Sequence, residues 1–376
     1  MRKLATVRKI DALEPIDGAD LIETASIGGW KVVVKKGEFE VDTFAVYFEI
    51  DSFIPNELAP FLTSEGKEPR EYNGIKGERL RTVKLRKQIS QGLLLPLTIV
   101  YDAVKKSLED LNVKLETMPI IYYEEDMDVS DLLNIHKYEP PMPTQLAGMA
   151  KGNFPSFIPK TDEERVQNLS KFLYTWIESQ DSWEVTEKYD GSSMTVYIKD
   201  DTDEEGNPVR NFGVCSRNLE LKDTADNSFW KQARADDIEN KLRELVPDRN
   251  IAIQGELIGE GIQGNKYRIL GTQFHVFTIY DIDKGEYLSS DERVTLAKKL
   301  GLNHVEVLEK VSLYRWHRVG TGVNANDVIS GLLDYAEGKS VLNNKTEREG
   351  VVFKNTRDPS LHFKAISNKF LLKGGE

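Results

Sequence analysis

One cysteine, five histidines and no long apolar run set the first limits on this chain of 376 residues. The lone Cys215 excludes an intramolecular disulfide and any cysteine-based zinc site, which fits a reducing compartment. No apolar stretch approaches the roughly 20 residues that span a bilayer. Met1-Arg2-Lys3-Leu4 leads into strand-like sequence rather than a signal peptide, so a soluble, cytoplasmic protein is expected. Net positive charge is also missing. With 62 acidic and 50 basic residues the total is -12, so nucleic acid cannot be held by bulk attraction alone. Basic charge is instead local, in Lys76-Gly77-Glu78-Arg79-Leu80-Arg81-Thr82-Val83-Lys84-Leu85-Arg86-Lys87, while Glu124 to Asp128 and Asp200 to Glu205 are acidic. That strip is either a solvated strand or a face for phosphates, with Lys84 and Arg86 the candidate nucleic-acid contacts. Ordinary cores are within reach, since 39% of residues are hydrophobic and the length suffices for two domains.

Residues 1 to about 100 show short β-type runs, clearest in Trp30-Lys31-Val32-Val33-Val34 and Thr43 to Ile50, separated by turn residues. The pattern suits a small five-stranded OB-like barrel. Residues 101–160 are turn-rich, with Pro140-Pro141-Met142-Pro143 at their centre, and read as a linker with a lid-like connection. Residues 161–376 form the third segment. Thr161-Asp162-Glu163-Glu164 has the form of a capping box, and Val166, Leu169, Phe172, Leu173 and Trp176 recur at helical spacing. Strands then alternate with helical stretches near 229–245, 291–300 and 327–336. The expected class is α+β: a front β-barrel, then antiparallel sheets with flanking helices.

Trp183-Glu184-Val185-Thr186-Glu187-Lys188-Tyr189-Asp190-Gly191 puts a lysine at the end of an alternating run, just before a glycine turn. Packing would fix such a lysine in space, and the turn would let a phosphate approach the backbone. A K-x-D-G tetrapeptide alone arises by chance in roughly one chain in ten of this length. Four further strand-like segments follow it in order: Val214 to Asn218 with Arg217, Ile251 to Gly259 with Glu256, Phe274 to Asp281 with Phe277, and Glu349-Gly350-Val351-Val352-Phe353-Lys354. The chain closes on Leu361 to Phe370, which carries Lys364 and Lys369. The forked guanidinium of Arg217 suits a nucleotide or nucleic-acid phosphate.

These ordered segments resemble the motifs of the covalent nucleotidyltransferases, which include polynucleotide ligases and capping enzymes and share an ATP-grasp-like ligase domain. Ile16 to Glu23, Gly29-Trp30 and Ser90-Gln91-Gly92 resemble OB modules of tRNA-binding proteins and of one RNA ligase group. Across nearly the whole chain the arrangement resembles the Deinococcus-type ATP-dependent RNA ligase family. The resemblance implies that Lys188 takes AMP from ATP, with Asp190 and Gly191 beside the nucleotide, Lys364 on the α-phosphate and Glu349 on a Mg2+ or Mn2+ ion. It further implies Glu256 on the ribose hydroxyls, Phe277 stacked on adenine and Glu187 at the adenine edge. For Glu187 a cross-strand ion pair is the alternative, and either Phe274 or Phe277 suits the core. The expected partner is RNA or a nicked RNA-containing duplex, with no membrane or obligate protein partner.

A lysine attacks phosphorus only as the neutral amine, and with an ordinary lysine pKa of about 10.4 that form is about one molecule in a thousand at neutral pH. A metal and a second cation nearby would raise that fraction. Many ligases carry Lys-x-Lys in the last motif, whereas this chain has Lys364-Ala365-Ile366, leaving Lys354 or Lys369 to supply the second cation. Because that motif stands at the end of the sequence, the rear OB domain of DNA ligases and capping enzymes is not expected. Those two enzyme classes, and an inactive RNA-binding protein, remain the alternatives on sequence alone.

Overall fold

The computed structural model describes residues 3–111, 121–139, 148–203, 205–317 and 324–374. The chain divides into two compact units: Met1–Pro141 with Leu371–Glu376, and Met142–Phe370.

Short apolar runs cut by turn residues make the first unit a β module. Strands β1 (Ala5–Lys9), β5 (Phe44–Phe48) and β11 (Leu93–Pro96) form one sheet, and β2 (Ala12–Pro15), β3 (Ile22–Ile27) and β4 (Trp30–Lys35) a second. A third sheet joins β6 (Ser52–Pro55), β7 (Arg70–Tyr72) and β8 (Ile75–Arg79) to β12 (His136–Lys137), while β9 (Thr82–Leu85) and β10 (Gln88–Gln91) pair as a ribbon. Val7, Val46, Phe48, Ile54 and Leu95 meet in its core.

The stretch from residue 101 onward carries more structure than a linker. Helix α1 (Thr98–Asp110) buries Val100, and Val129, Leu133 and Ile135 enter the same core as Val7. Ser130 Oγ accepts hydrogen bonds from the Leu4 and Ala5 N–H groups at 3.0 and 2.9 Å. Val129, Leu133 and Ile135 combine one four-residue step with one two-residue step, so no single period marks them in the sequence. Pro140 to Pro143 lie outside the described residues. Ala150–Asn153, read as part of a lid-like connection, is strand β13 at the edge of a sheet.

The second unit contains two sheets. The smaller has the order β14 (Glu164–Arg165), β25 (His362–Ile366), β24 (Gly350–Asn355), β15 (Ser182–Lys188), β23 (Val307–Ser312). The larger runs β13, β18 (Leu219–Leu221), β17 (Pro208–Cys215), β16 (Ser192–Thr202), β19 (Ile251–Gly259), β20 (Thr272–Asp281), β21 (Glu286–Tyr287), with β22 (Asn303–His304) also on β20. Helices α2 (Ser170–Glu178) and α6 (Ala325–Ala336) cover one face of the smaller sheet, packing Leu173, Ile177, Val328 and Leu332 against Trp183, Val185, Val351 and Phe363. On the larger sheet, α3 (Ser228–Ala235), α4 (Ile238–Leu245) and α5 (Ser290–Lys299) pack Trp230, Leu242 and Leu296 against Met194, Ile253 and Val276.

Thr161 to Glu164 do not cap a helix. Helix α2 starts at Ser170 without a side-chain cap, and Glu164 instead begins β14, parallel to β25. The capping box that does form is Ser289 with Glu292, at the start of α5. Among the described residues no helix is long and apolar enough to cross a membrane.

Candidate active site

Strand β15 presses Trp183 and Val185 into the helix-covered core, so the two-residue period turns Glu184, Thr186 and Lys188 to the opposite face. Pairing with β24 sets Glu184 opposite Lys354, Thr186 opposite Val352 and Lys188 opposite Gly350. On β25, His362 stands opposite Lys354 and Lys364 opposite Val352. One sheet face therefore carries three lysines in staggered rows. The same period sends Glu187 the other way, where its carboxylate accepts the Val341 N–H at 2.8 Å. Thr186, not Glu187, shares the Lys188 face of the strand, and strict alternation could have shown it. Burial raises the pKa of Glu187 against the hydrogen bonds of Ser340 and Val341.

At the end of β15, Lys188 Nζ lies 2.6 Å from Glu349 Oε1, and the Glu349 side chain is almost wholly buried. Tyr189, Asp190 and Gly191 then carry the chain from the smaller sheet to the larger. Gly191 donates its N–H to Glu256 Oε1 at 3.1 Å, and Asp190 its N–H to the Tyr267 hydroxyl at 2.7 Å. The Asp190 carboxylate is paired with Lys266. A Cβ on Gly191 would stand 2.4 Å from the Leu257 carbonyl oxygen, so glycine is needed there for close approach to β19. Glu256 has its pKa pushed up to about 8, by burial first and then by the carboxylates of Glu349, Asp190 and Glu163, against the pull of Lys188.

Asp162 and Glu163, hidden in the supposed capping box, are the acidic residues that sequence reasoning missed. Asp162 Oδ1 lies 3.3 Å from Arg217 and 3.8 Å from Lys364 Nζ, tying an exposed arginine to a buried lysine. Burial pushes the Glu163 pKa up, but His362, Lys354, Lys364 and Lys188 together draw it below the usual carboxylate value. Arg165, fully buried, sits opposite Lys364 in the parallel β14–β25 register.

Phe274 and Phe277 separate cleanly. Phe274 is fully buried beneath the helices, whereas Gly255 pairs with Val276 and Gln254 with Thr278, so Phe277 is the extra residue of a β-bulge. Bulges of this kind re-aim a side chain, and Phe277 is half-buried beside Tyr189, Ile258 and Tyr267. Lys354 Nζ donates to its carbonyl at 2.6 Å and lies 5.6 Å from its ring centroid. Of the two substitutes for the missing second lysine, Lys354 shares the surroundings of Glu163 with Lys188 and Lys364. Lys369 is mostly exposed and paired with Glu337 at 3.3 Å.

The donor set can be weighed for a divalent cation. Among the described residues no three His, Cys, Asp or Glu side chains form a ready-made cage. Mg2+ keeps several waters and commonly uses only one or two carboxylates plus substrate phosphates, a mode that Glu349 suits. Lys84 and Arg86 belong to the other unit, exposed on β9 and on the β9–β10 turn, where Arg86 and Lys87 have φ of 48° and 69°. Arg81, Lys84, Arg86 and Lys87 make no ion pair among the described residues.

A family model described as RNA ligase matches residues 181–371, and an OB-fold domain model matches residues 4–97. Solved structures of Naegleria gruberi RNA ligase are similar throughout. A mutant with AMP and Mn is 41% identical over 99% of both chains, with a TM-score of 0.80. A second mutant, with ATP and Mn, is 41% identical over the same shares with a TM-score of 0.78, as is the structure with pyrophosphate. No curated protein sequence matches.

Proposed function

The chain belongs to the RNA ligase family, with an OB-fold domain ahead of its ligase domain, and from that premise we propose that Lys188 is its AMP-accepting nucleophile. It is an ATP-dependent RNA ligase. The observation that carries the assignment is the convergence of Lys188 with Glu349, Glu256 and Lys364 at the end of β15.

In the first step the neutral Lys188 amine attacks the α-phosphorus of ATP. An N–P bond forms, the α–β phosphoanhydride breaks and pyrophosphate leaves. Glu349 now neutralises the Lys188 ammonium, so the attacking amine must first lose both this partner and one proton. A divalent cation held by Glu349 would supply charge neutralisation on the phosphates. Lys364 would face the α-phosphate, and Lys354 would supply the second positive charge in its protonated form. Asp190 and Gly191 would line the nucleotide through the crossover turn, while Glu256 offers its second oxygen to the ribose. Phe277 would stack on the base, with Thr186 rather than Glu187 facing it. Arg217, held by Asp162 on the exposed rim, would grip a phosphate of the nucleotide or of the RNA. Lys369, mostly exposed and paired with Glu337, would be the alternative second cation.

A 5′-phosphate oxygen next attacks the AMP phosphorus, releasing Lys188. A 3′-hydroxyl then attacks the activated 5′-phosphate, forming the phosphodiester and expelling AMP. The substrate is a nick in a duplex with RNA on the 3′-hydroxyl side, held by the OB-fold domain through Lys84 and Arg86. The test is incubation with α-labelled ATP or GTP and Mg2+ or Mn2+. An acid-labile, alkali-stable adduct should form with ATP and vanish in Lys188→Ala. An adduct retained in that variant, or none in the unmodified protein, defeats the assignment.

A further inference from the structure

Beneath the proposed base pocket lies a buried charged cluster that the reaction does not use. Glu184 and Arg293 are each 2% exposed at their side chains and paired with each other, and Ser290 donates to the other Glu184 oxygen. Arg293 Nε donates to His304 Nε2 at 3.0 Å. That nitrogen must therefore accept, leaving His304 Nδ1 to donate to the Val305 carbonyl at 2.6 Å. These contacts join β15 of the smaller sheet to α5 and β22 beside the larger. A buried ion pair is weak evidence of stabilisation, so stability alone does not account for this one.

Glu184 stands directly opposite Lys354 on the β15–β24 ladder, where opposite charges ordinarily pair. Here they do not. Both Glu184 oxygens are taken, and Lys354 instead reaches the larger sheet, donating to the Phe277 carbonyl at the bulge. We propose that Arg293 and Ser290 are positioning residues for nucleotide recognition: by occupying Glu184 they deny Lys354 its cross-strand partner and direct it to the Phe277 bulge. This rests on the reading that Phe277 stacks on adenine. The Arg293 charge adds a repulsive push on Lys354, whose pKa is lowered to about 7 by burial first and by Arg293 second.

Removing Arg293 should let Lys354 collapse onto the freed carboxylate and release the bulge. Protein–AMP formation would be followed in the full chain for Arg293→Met, Glu184→Gln and the double variant. In Arg293→Met the KM for ATP should rise about tenfold with the maximal rate within about threefold, and preference for ATP over GTP should narrow. Glu184→Gln added to Arg293→Met removes the competing carboxylate, so KM should return to within about threefold of the unmodified protein. A pair that served stability alone would lower the Tm of Arg293→Met, and restore it in the double variant, without moving the KM for ATP in either. An unchanged KM in Arg293→Met, or a double variant as impaired as the single, overturns the proposal. Should Arg293→Met fail to fold, Ser290→Ala with and without Glu184→Gln repeats the comparison, and a flat KM there overturns it equally. Failure of the unmodified protein to take label from ATP would instead defeat the adenylylation reading beneath it.

Discussion

Replacing Gly191 by alanine tests the link between the K-x-D-G turn and the nucleophile. The new Cβ would lie 2.4 Å from the Leu257 oxygen, 2.6 Å from Ile258 Cγ2 and 2.9 Å from Glu256 Cγ. The first is backbone, and Leu257 is paired with Ser192 in the β16–β19 ladder, so it cannot retreat without loosening that ladder. Overpacking of this kind costs about 1–3 kcal/mol. Lengthening the Gly191 N–H to Glu256 hydrogen bond adds about 1–2 kcal/mol. The sum, about 2–5 kcal/mol, predicts a Tm lower by about 5–15 °C for a unit of this size. If the turn yields by about 1 Å, lysyl-AMP formation should slow by about a hundredfold. Gly152→Ala is the control, because nothing lies within 4 Å of a Cβ there and its φ is ordinary. Thermal melts and single-turnover labelling with α-labelled ATP read both effects. Normal melting and normal labelling in Gly191→Ala would show that close approach is not what the turn requires.

Three further outcomes follow from the same geometry. Glu256→Gln should abolish most activity yet stabilise the fold: the folded pKa of about 8 lies above the ordinary 4.5, so the folded protein binds the extra proton between those values and loses stability as pH rises through them. The Tm advantage of the glutamine variant should therefore grow from about pH 5 to pH 8 and then level off, and a pH-independent difference would contradict it. Phe277→Ala should raise the KM for ATP by about 1–3 kcal/mol of lost stacking with little change in Tm, whereas Phe274→Ala should cost about 3–5 kcal/mol of stability; equal behaviour of the two would remove the bulge argument. Neutralising Arg81, Lys84, Arg86 and Lys87 together should flatten the salt dependence of duplex binding by about three to four in log–log slope, and should leave lysyl-AMP formation unchanged. An unaltered slope would take the ribbon out of RNA binding.

The sequence alone determined the class, and it carried the ordered residues on which the proposed chemistry rests. Short alternating runs, the K-x-D-G turn, and the order of the Glu256, Phe277, Glu349 and Lys364 segments are local patterns, and a local pattern survives without coordinates. Lys354 is one of the two substitute cations that such a pattern offers, with Lys369 the other. Tertiary structure alone decided which partner each side chain takes. Asp162 and Glu163 read as a helix cap because the local spacing fits one; only parallel pairing of β14 with β25 carries them to Lys364 and Lys354. Glu187 stands beside Lys188 in sequence, but a strand sends neighbours to opposite faces, so its carboxylate reaches the Val341 N–H while Thr186 shares the Lys188 face. Phe277 and Phe274 could not be ranked until the bulge broke the alternation between them. Pairing across strands far apart in the chain is fixed by register and packing, and neither is written in any short stretch of residues.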